Sequence, residues 1–244
     1  MKISVYAIPA SIDDRDLKER IAVVIDVLRA ASTIITALNN GCKEIIPTAE
    51  IEEAIMLAKN YEKDSFLLGG ERNAVKIDGF DLSNSPYEYT PEAVKGRTVI
   101  MTTTNGTQAI RKANDAKEVI IGSFLNAEAV SRYIRHRGDD VVFVCAGTDG
   151  KFSLDDILVA GAMIDILEGM NTEMEMDDLA LVSLHLYKSY KSNLKKALEN
   201  AYHYKNLVRA GYEKDVDYCI QLNLFPIIPV YKDGTIRISQ NFQG

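Results

Sequence analysis

Four short stretches of this chain carry side chains with chemistry to offer. Asp26-Val-Leu-Arg29-Ala-Ala-Ser32-Thr33 sets an acid beside an arginine, and Gly69-Gly70-Glu71-Arg72 does so again. Thr102-Thr103-Thr104-Asn105-Gly106-Thr107 is a run of small hydroxyl and amide residues. The stretch from Gly147 through Thr148 and Ser153 ends in two adjacent carboxylates, Asp155 and Asp156. Acids that converge from separate loops are costly unless a cation neutralises them. Hard carboxylate oxygens without a nearby histidine select magnesium or manganese over zinc. Arginine offers a planar fork to phosphate, carboxylate or sulfonate. Carboxylate-held magnesium, arginines and an N–H-rich loop together describe phosphoryl chemistry, in which charge on the transferring group is stabilised and a water is positioned.

The elements that must hold these residues follow from hydrophobic pattern. Ile21–Ile25 and Val141–Cys145 are continuous apolar, β-branched runs, as expected of strands buried on both faces of a parallel sheet, and Val99–Met101 is a third. Each runs through a polar loop into a segment of helical spacing. Such strand-to-helix junctions present free backbone N–H groups and a favourable dipole, so the loop opening on Gly106 and Thr107 reads as an anion site. In parallel α/β sheets ligands bind outside the carboxyl ends of the strands, and three junctions side by side would share one pocket. The segment from Gly69 to Tyr89 lacks periodicity, and so long a loop in a compact fold is more often functional than decorative. Glycines 69 and 70 are expected to break the strand Phe66–Leu68. Further helices are expected over Ile51–Tyr61, Ala127–Arg137, Ile157–Leu167 and most of Leu179–Ala210. The Asp233-Gly234 pair between apolar runs predicts a hairpin.

The fold class expected is therefore α/β: layered, mostly parallel sheets with helices on their faces, built from recurring strand-loop-helix units. No linker composition divides the chain, so residues 1–244 are read as one unit, with pseudo-repeated halves of about 1–115 and 116–244 as the alternative division. The net charge of −7 argues against a nucleic-acid partner, which needs a basic footprint. Three cysteines, odd in number and far apart, suit a reducing compartment and make no zinc pattern. No apolar run approaches membrane-spanning length and the N-terminus lacks a signal pattern, so a cytoplasmic protein with no membrane partner is expected.

Plainer readings stand beside these. Ser153 with Asp156 fits a capping box, and Asp26 at a strand end suits a helix cap. Cys145 reads as a small core residue rather than a nucleophile. His136, His185 and His203 lie in helical segments without metal-ligand spacing and read as structural or surface residues. No Gly-x-x-x-x-Gly-Lys-Ser/Thr loop and no Gly-x-Ser-x-Gly elbow is present, which disfavours a P-loop nucleotide site and an α/β-hydrolase.

The segments Asp26–Thr33, Leu68–Arg72, Gly79–Pro86, Thr102–Thr107 and Cys145–Asp156, with Asn206–Gly211 and Asp215–Cys219 later on, resemble the signature stretches of the 2-phosphosulfolactate phosphatases, in order and over nearly the whole chain. The resemblance implies a magnesium-dependent hydrolase that converts (R)-2-phospho-3-sulfolactate to 3-sulfolactate and phosphate, a step towards coenzyme M. Members often have Glu-Asp where this chain has Asp155-Asp156, which keeps a carboxylate in place. The resemblance assigns neither nucleophile nor general base. Joined with the residue reading, it leads to the expectation that Asp26, Glu71 and Asp156 hold magnesium directly or through water. Thr103, Thr104, Asn105, Gly106 and Thr107, with Gly147, would bind one anionic group of the substrate. Arg29 and Arg72, with Lys76 near, would clamp the others. Apolar helical surface in 157–210 leads us to expect a homodimer.

Overall fold

Ile21–Ile25 is apolar throughout because it must be: as β2 it lies between two other strands with all five residues buried. The computed structural model describes residues 1–239. In chain order the elements are β1 (Lys2–Tyr6), β2 (Ile21–Ile25), α1 (Ala30–Asn39), β3 (Glu44–Thr48), α2 (Ile51–Ala58), β4 (Phe66–Arg72), β5 (Val75–Lys76), α3 (Pro91–Val94), β6 (Thr98–Thr102) and α4 (Gly106–Lys112). They continue with β7 (Glu118–Gly122), α5 (Ala127–Arg137), β8 (Val141–Cys145), α6 (Leu154–Gly169), β9 (Glu175–Met176), α7 (Asp178–Tyr190), α8 (Leu194–Leu198), α9 (Tyr202–Arg209), α10 (Glu213–Cys219), β10 (Pro229–Lys232) and β11 (Thr235–Ile238). No helix among the described residues is long and apolar enough to cross a membrane.

The strands form one sheet in the order β5-β4-β6-β3-β11-β10-β7-β2-β8-β1-β9. Two parallel blocks are visible in it. One is β7-β2-β8-β1-β9, the other β4-β6-β3. The Asp233-Gly234 hairpin is present as expected, with both residues at positive φ. Its place was not foreseen. β10 pairs antiparallel with β7 and β11 antiparallel with β3, so the hairpin stitches the blocks together and strand direction reverses across it.

Alternation along the strands sorts the core into layers. Ile21, Val23 and Ile25 pack with Phe143, Cys145 and the apolar faces of α5, α6 and α7. Ala22 and Val24 face the other way, into a cluster with Ile34 and Leu38 of α1, Ala109 and Ile110 of α4, and Ile45, Val99 and Met101 of the second block. Ile100 points beyond that block to Ala54 of α2 and to Phe80. Helices thus lie between and outside the two blocks, the layered α/β arrangement expected.

Glycines 69 and 70 do not break their strand. β4 runs through them to Arg72, because a close approach needs them there. A Cβ on Gly69 would stand 2.4 Å from the Tyr89 hydroxyl, and one on Gly70, at φ +143°, 1.9 Å from the Thr102 carbonyl oxygen. The non-periodic stretch also holds a tight turn at Asn73 and Ala74, both at positive φ, that folds β5 back onto β4. The helical stretch 179–210 divides into α7, α8 and α9.

One ion pair ties three strands at the stitch. Buried Glu44 of β3 accepts from the Thr98 hydroxyl at 3.1 Å and from Arg237 Nε of β11 at 2.9 Å. Burial pushes its carboxyl up, but the Arg237 and Thr98 hydrogen bonds and the Arg237 charge prevail, and its pKa lies below the ordinary 4.5. A lowered carboxylate pKa adds stability that is complete above 4.5 and fades as pH falls below it. Glu44→Gln is expected to cost about 1.5–3 kcal/mol at pH 7. The deficit should shrink below pH 4.5, as read from urea midpoints at pH 7 and pH 3.5; equal deficits at the two values would dismiss the pair.

Candidate functional site

Three loops that follow β2, β6 and β8 close around one cavity of about 460 Å³. Asp26, Leu28 and Arg29 line it from the first, Thr104 and Asn105 from the second, Thr148 and Asp149 from the third, and Glu71, Asn73 and Ala74 from the β4–β5 turn. The junctions therefore converge, although β6 belongs to the other block from β2 and β8. They are tied together directly. The Asp149 amide donates to Asn105 Oδ1 at 3.2 Å, and the Thr104 amide to Glu71 Oε1 at 2.8 Å. Gly106 is obligatory where α4 meets the β2 loop: a Cβ there would lie 2.6 Å from Asp26 Oδ2 and from Ala30 Cβ.

Asp26 plays both roles considered for it. Its Oδ1 accepts from the Ala30 amide at 3.1 Å at the head of α1, while its side chain borders the cavity. Burial, against the pull of His203 and the Ala30 amide and with help from Asp155 and Glu71, lifts its pKa from 3.8 to about 6. Glu71 is braced by two amides, Thr104 on Oε1 and Ala74 on Oε2, each at 2.8 Å. Asp156 is placed differently. It is buried behind the loops, absent from the cavity lining, with Oδ1 accepting from the Val27 amide and Oδ2 from the Gly147 amide, both at 3.0 Å. Burial, with the charges of Asp155 and Asp26, pushes its pKa well up. It pins the first loop to the third. The capping box expected with Ser153 does not form, since Ser153 Oγ donates to Asp155 instead, in a very short contact.

The arginines are also engaged elsewhere. Arg29 borders the cavity, but its Nη1 lies 2.6 Å from Asp215 Oδ2 of α10, its Nη2 donates to the Ala74 carbonyl, and its guanidinium stacks 3.9 Å from the Tyr212 ring centroid. Arg72 does not border the cavity; it donates to the carbonyls of Ala49 and Glu71 and to the Thr102 hydroxyl. Lys76 is exposed on β5 and outside the lining. Thr103 and Thr107 are buried and hold each other, Thr103 N–H on Thr107 Oγ1 and Thr107 N–H on Thr103 Oγ1. Gly147, at φ +70°, has its N–H on Asp156, and a Cβ would strike the Lys151 carbonyl oxygen at 2.4 Å. Of the expected anion-binding loop, then, Thr104 and Asn105 reach the cavity while Thr103, Gly106, Thr107 and Gly147 build its frame.

One part of the lining carries no local pattern in the sequence. Helix α9 contributes Tyr202, His203, Asn206, Leu207 and Arg209. Nδ1 of His203 lies 3.3 Å from Asp155 Oδ2. Burial works against its charge, yet Asp155 and then Asp26 outweigh that and hold its pKa above the ordinary 6.5. The only signal for this part of the lining was the Asn206–Gly211 segment of the family resemblance.

The chemistry of the donor set suits a hard cation. Among the described residues no group of three His, Cys, Asp or Glu is gathered closely enough to hold an ion. Magnesium does not require one, since it commonly takes one or two carboxylates and completes its shell with water and substrate oxygens. Asp26 and Glu71 both border the cavity. Two further buried oxygens of lining residues, Asn84 Oδ1 and Thr104 Oγ1, have no hydrogen-bond partner in the protein. Unpartnered buried oxygens are rare and call for a ligand or water. The residues present fit the ion.

A layered α/β fold with a carboxylate-lined cavity where its strand-to-helix loops converge is the frame of an enzyme acting on a small anion. The chain matches a family model described as 2-phosphosulpholactate phosphatase over residues 6–234. It is 54% identical to the "Probable 2-phosphosulfolactate phosphatase" of Caldanaerobacter subterraneus subsp. tengcongensis, covering 99% of this chain and 100% of that protein. It is 44% identical to the proteins of the same name from Clostridium beijerinckii, over 97% of this chain and 99% of the relative, and Clostridium acetobutylicum, over 97% and 100%. The chain belongs to the 2-phosphosulfolactate phosphatase family, a family of phosphoric monoester hydrolases.

Proposed function

We propose that this protein is a magnesium-dependent phosphatase that hydrolyses (R)-2-phospho-3-sulfolactate to 3-sulfolactate and phosphate. The observation that carries the reading is the cavity in which the Asp26 and Glu71 carboxylates meet the unpartnered oxygens of Asn84 and Thr104. Asp26 and Glu71 are the residues that would hold magnesium. Bound there, the ion supplies charge to offset the phosphate oxygens and acidity to a coordinated water. Asn105, at the mouth of the β6–α4 loop, offers an uncharged amide to the phosphate. Asp155 fixes His203 through Nδ1 and, with the His203 pKa held above the ordinary 6.5, favours the protonated imidazole, which leaves Nε2 as the nitrogen for the cavity. His203 gives a proton to the sulfolactate oxygen as its bond to phosphorus breaks, and the water oxygen forms the new bond to phosphorus. A proton from that water returns the imidazole to its starting state.

The reading carries its biological setting with it. A step towards coenzyme M is the place of this reaction in organisms that make that cofactor. The buried free thiols of Cys42, Cys145 and Cys219 suit a reducing cytoplasm. Exposed Leu181 and Val182 on α7 suit a homodimer.

The test is phosphate release from racemic phosphosulfolactate, with 2-phospholactate and phosphoglycolate alongside, each with magnesium and with EDTA. We expect magnesium-dependent turnover, with phosphosulfolactate preferred by at least about tenfold, and loss of it on chelation. Turnover that survives EDTA removes magnesium from the mechanism. Preference for either other acid reassigns the substrate, and binding without turnover leaves an anion receptor.

A further inference from the structure

The cavity borders two arginines and a histidine, and among the described residues only one of the three has no carboxylate partner. Arg29 is neutralised by Asp215 at 2.6 Å. His203 faces Asp155 at 3.3 Å. Arg209, at the last position of α9, has no hydrogen bond, ion pair or ring contact within the described residues; it is exposed and borders the cavity. Asn206 lies three residues earlier, so it stands one turn back along the same helix and also borders the cavity. A guanidinium left without a carboxylate, in a protein of net charge −7, stands out where acids are in excess.

We infer that Arg209, with Asn206 beside it, is the specificity subsite for the sulfonate of the substrate. The inference rests on the phosphatase reading above and assigns a part of the substrate that reading leaves unplaced. The phosphate must sit at Asp26 and Glu71, where the proposed ion and water are. The reacting end therefore lies between the loops and His203, while Arg209 follows His203 by six residues, about 9 Å further along α9. A sulfonate remains ionised at every relevant pH and spreads one charge over three oxygens. It thus suits a charged planar fork supplemented by a neutral amide. The carboxylate, bonded directly to the carbon that bears the phosphate oxygen, stays close to the loops. A small phosphorylated acid without a second strong-acid group would leave Arg209 unmatched. That mismatch is a physical basis for discrimination, because binding energy at a remote group is what a truncated substrate loses.

The experiment compares wild type, Arg209→Gln and Arg209→Lys on three substrates. These are phosphosulfolactate, 2-phospholactate (no sulfonate) and the phosphate ester of 2-hydroxyethanesulfonate (no carboxylate). Arg209→Gln should lower kcat/KM by about 10- to 100-fold on both sulfonate-bearing substrates. Its effect on 2-phospholactate should be far smaller, and Arg209→Lys should recover part of the loss. Equal losses on all three substrates would overturn the assignment in favour of a phosphate or structural role. A loss confined to the two carboxylate-bearing substrates would assign Arg209 to the carboxylate instead. Calorimetric binding of 3-sulfolactate reads the subsite without turnover. Weakened binding in Arg209→Gln supports the subsite even if wild type fails to hydrolyse phosphosulfolactate, so the two readings can fail separately. Unchanged binding overturns it.

Discussion

Replacement of Asp26 by asparagine is expected to abolish most phosphate release, by on the order of 10³-fold in kcat, while the protein stays folded. The argument has two halves. Asparagine is the same shape and keeps an oxygen for the Ala30 amide, which at 3.1 Å holds the head of α1. It also removes a buried negative charge that burial, Asp155 and Glu71 all disfavour. Stability should therefore hold or rise, as is common when a strained active-site charge is removed. Activity should collapse, because charge stabilisation by a bound ion is worth several kcal/mol, and about 4 kcal/mol is roughly a thousandfold in rate. Phosphate release and thermal melting on the same preparation test both halves. Near-wild-type turnover would remove Asp26 from the chemistry, and a large loss of melting temperature would make its role structural.

The second large effect concerns stability. Asp215 holds Arg29 with both side chains almost wholly out of solvent, at 6% and 1% exposure, and its other oxygen accepts from Ser85 Oγ at 3.0 Å. Removing one member of a buried pair leaves an uncompensated charge, which costs about 3–5 kcal/mol. Asp215→Ala is thus expected to lower the urea midpoint sharply. Arg29→Met joined to Asp215→Leu should lower it less than Asp215→Ala alone, since apolar replacement of both partners avoids the stranded charge. If the single variant lies within about 1 kcal/mol of wild type, the pair contributes no more than a surface bridge.

Much of this site could be read from local pattern, and the misses share one cause. The apolar runs Ile21–Ile25, Val99–Met101 and Val141–Cys145 become strands, and their loops meet, because a junction after a buried strand is a local feature with a known destination. Asp26, Thr104 and Asn105 stand at those junctions and border the cavity, and Glu71 joins them from the end of β4. The fates of Arg29 and His203 could not be read that way, because their partners are remote: Asp215 lies 186 residues from Arg29, and Asp155 belongs to α6 while His203 belongs to α9. Nothing in the spacing around either residue encodes such a meeting. Thr103 and Thr107, expected from their loop to bind an anion, instead satisfy one another across the tight turn. The extension of β4 through Gly69 and Gly70 was hidden for a related reason. Glycine marks a break and a close backbone approach with the same letter, and only the neighbouring strand decides between them.

The hairpin at Asp233 and Gly234 has a consequence for how the chain is made. During synthesis β3 and β7 emerge long before β10 and β11, the strands that pair with them. Until about residue 238 has cleared the ribosome, each parallel block presents an open edge, the kind of edge that recruits foreign strands. From the emergence of β8 until that hairpin arrives the nascent protein can form only two unjoined sheets, and the gap is closed only when the late segment slots between them.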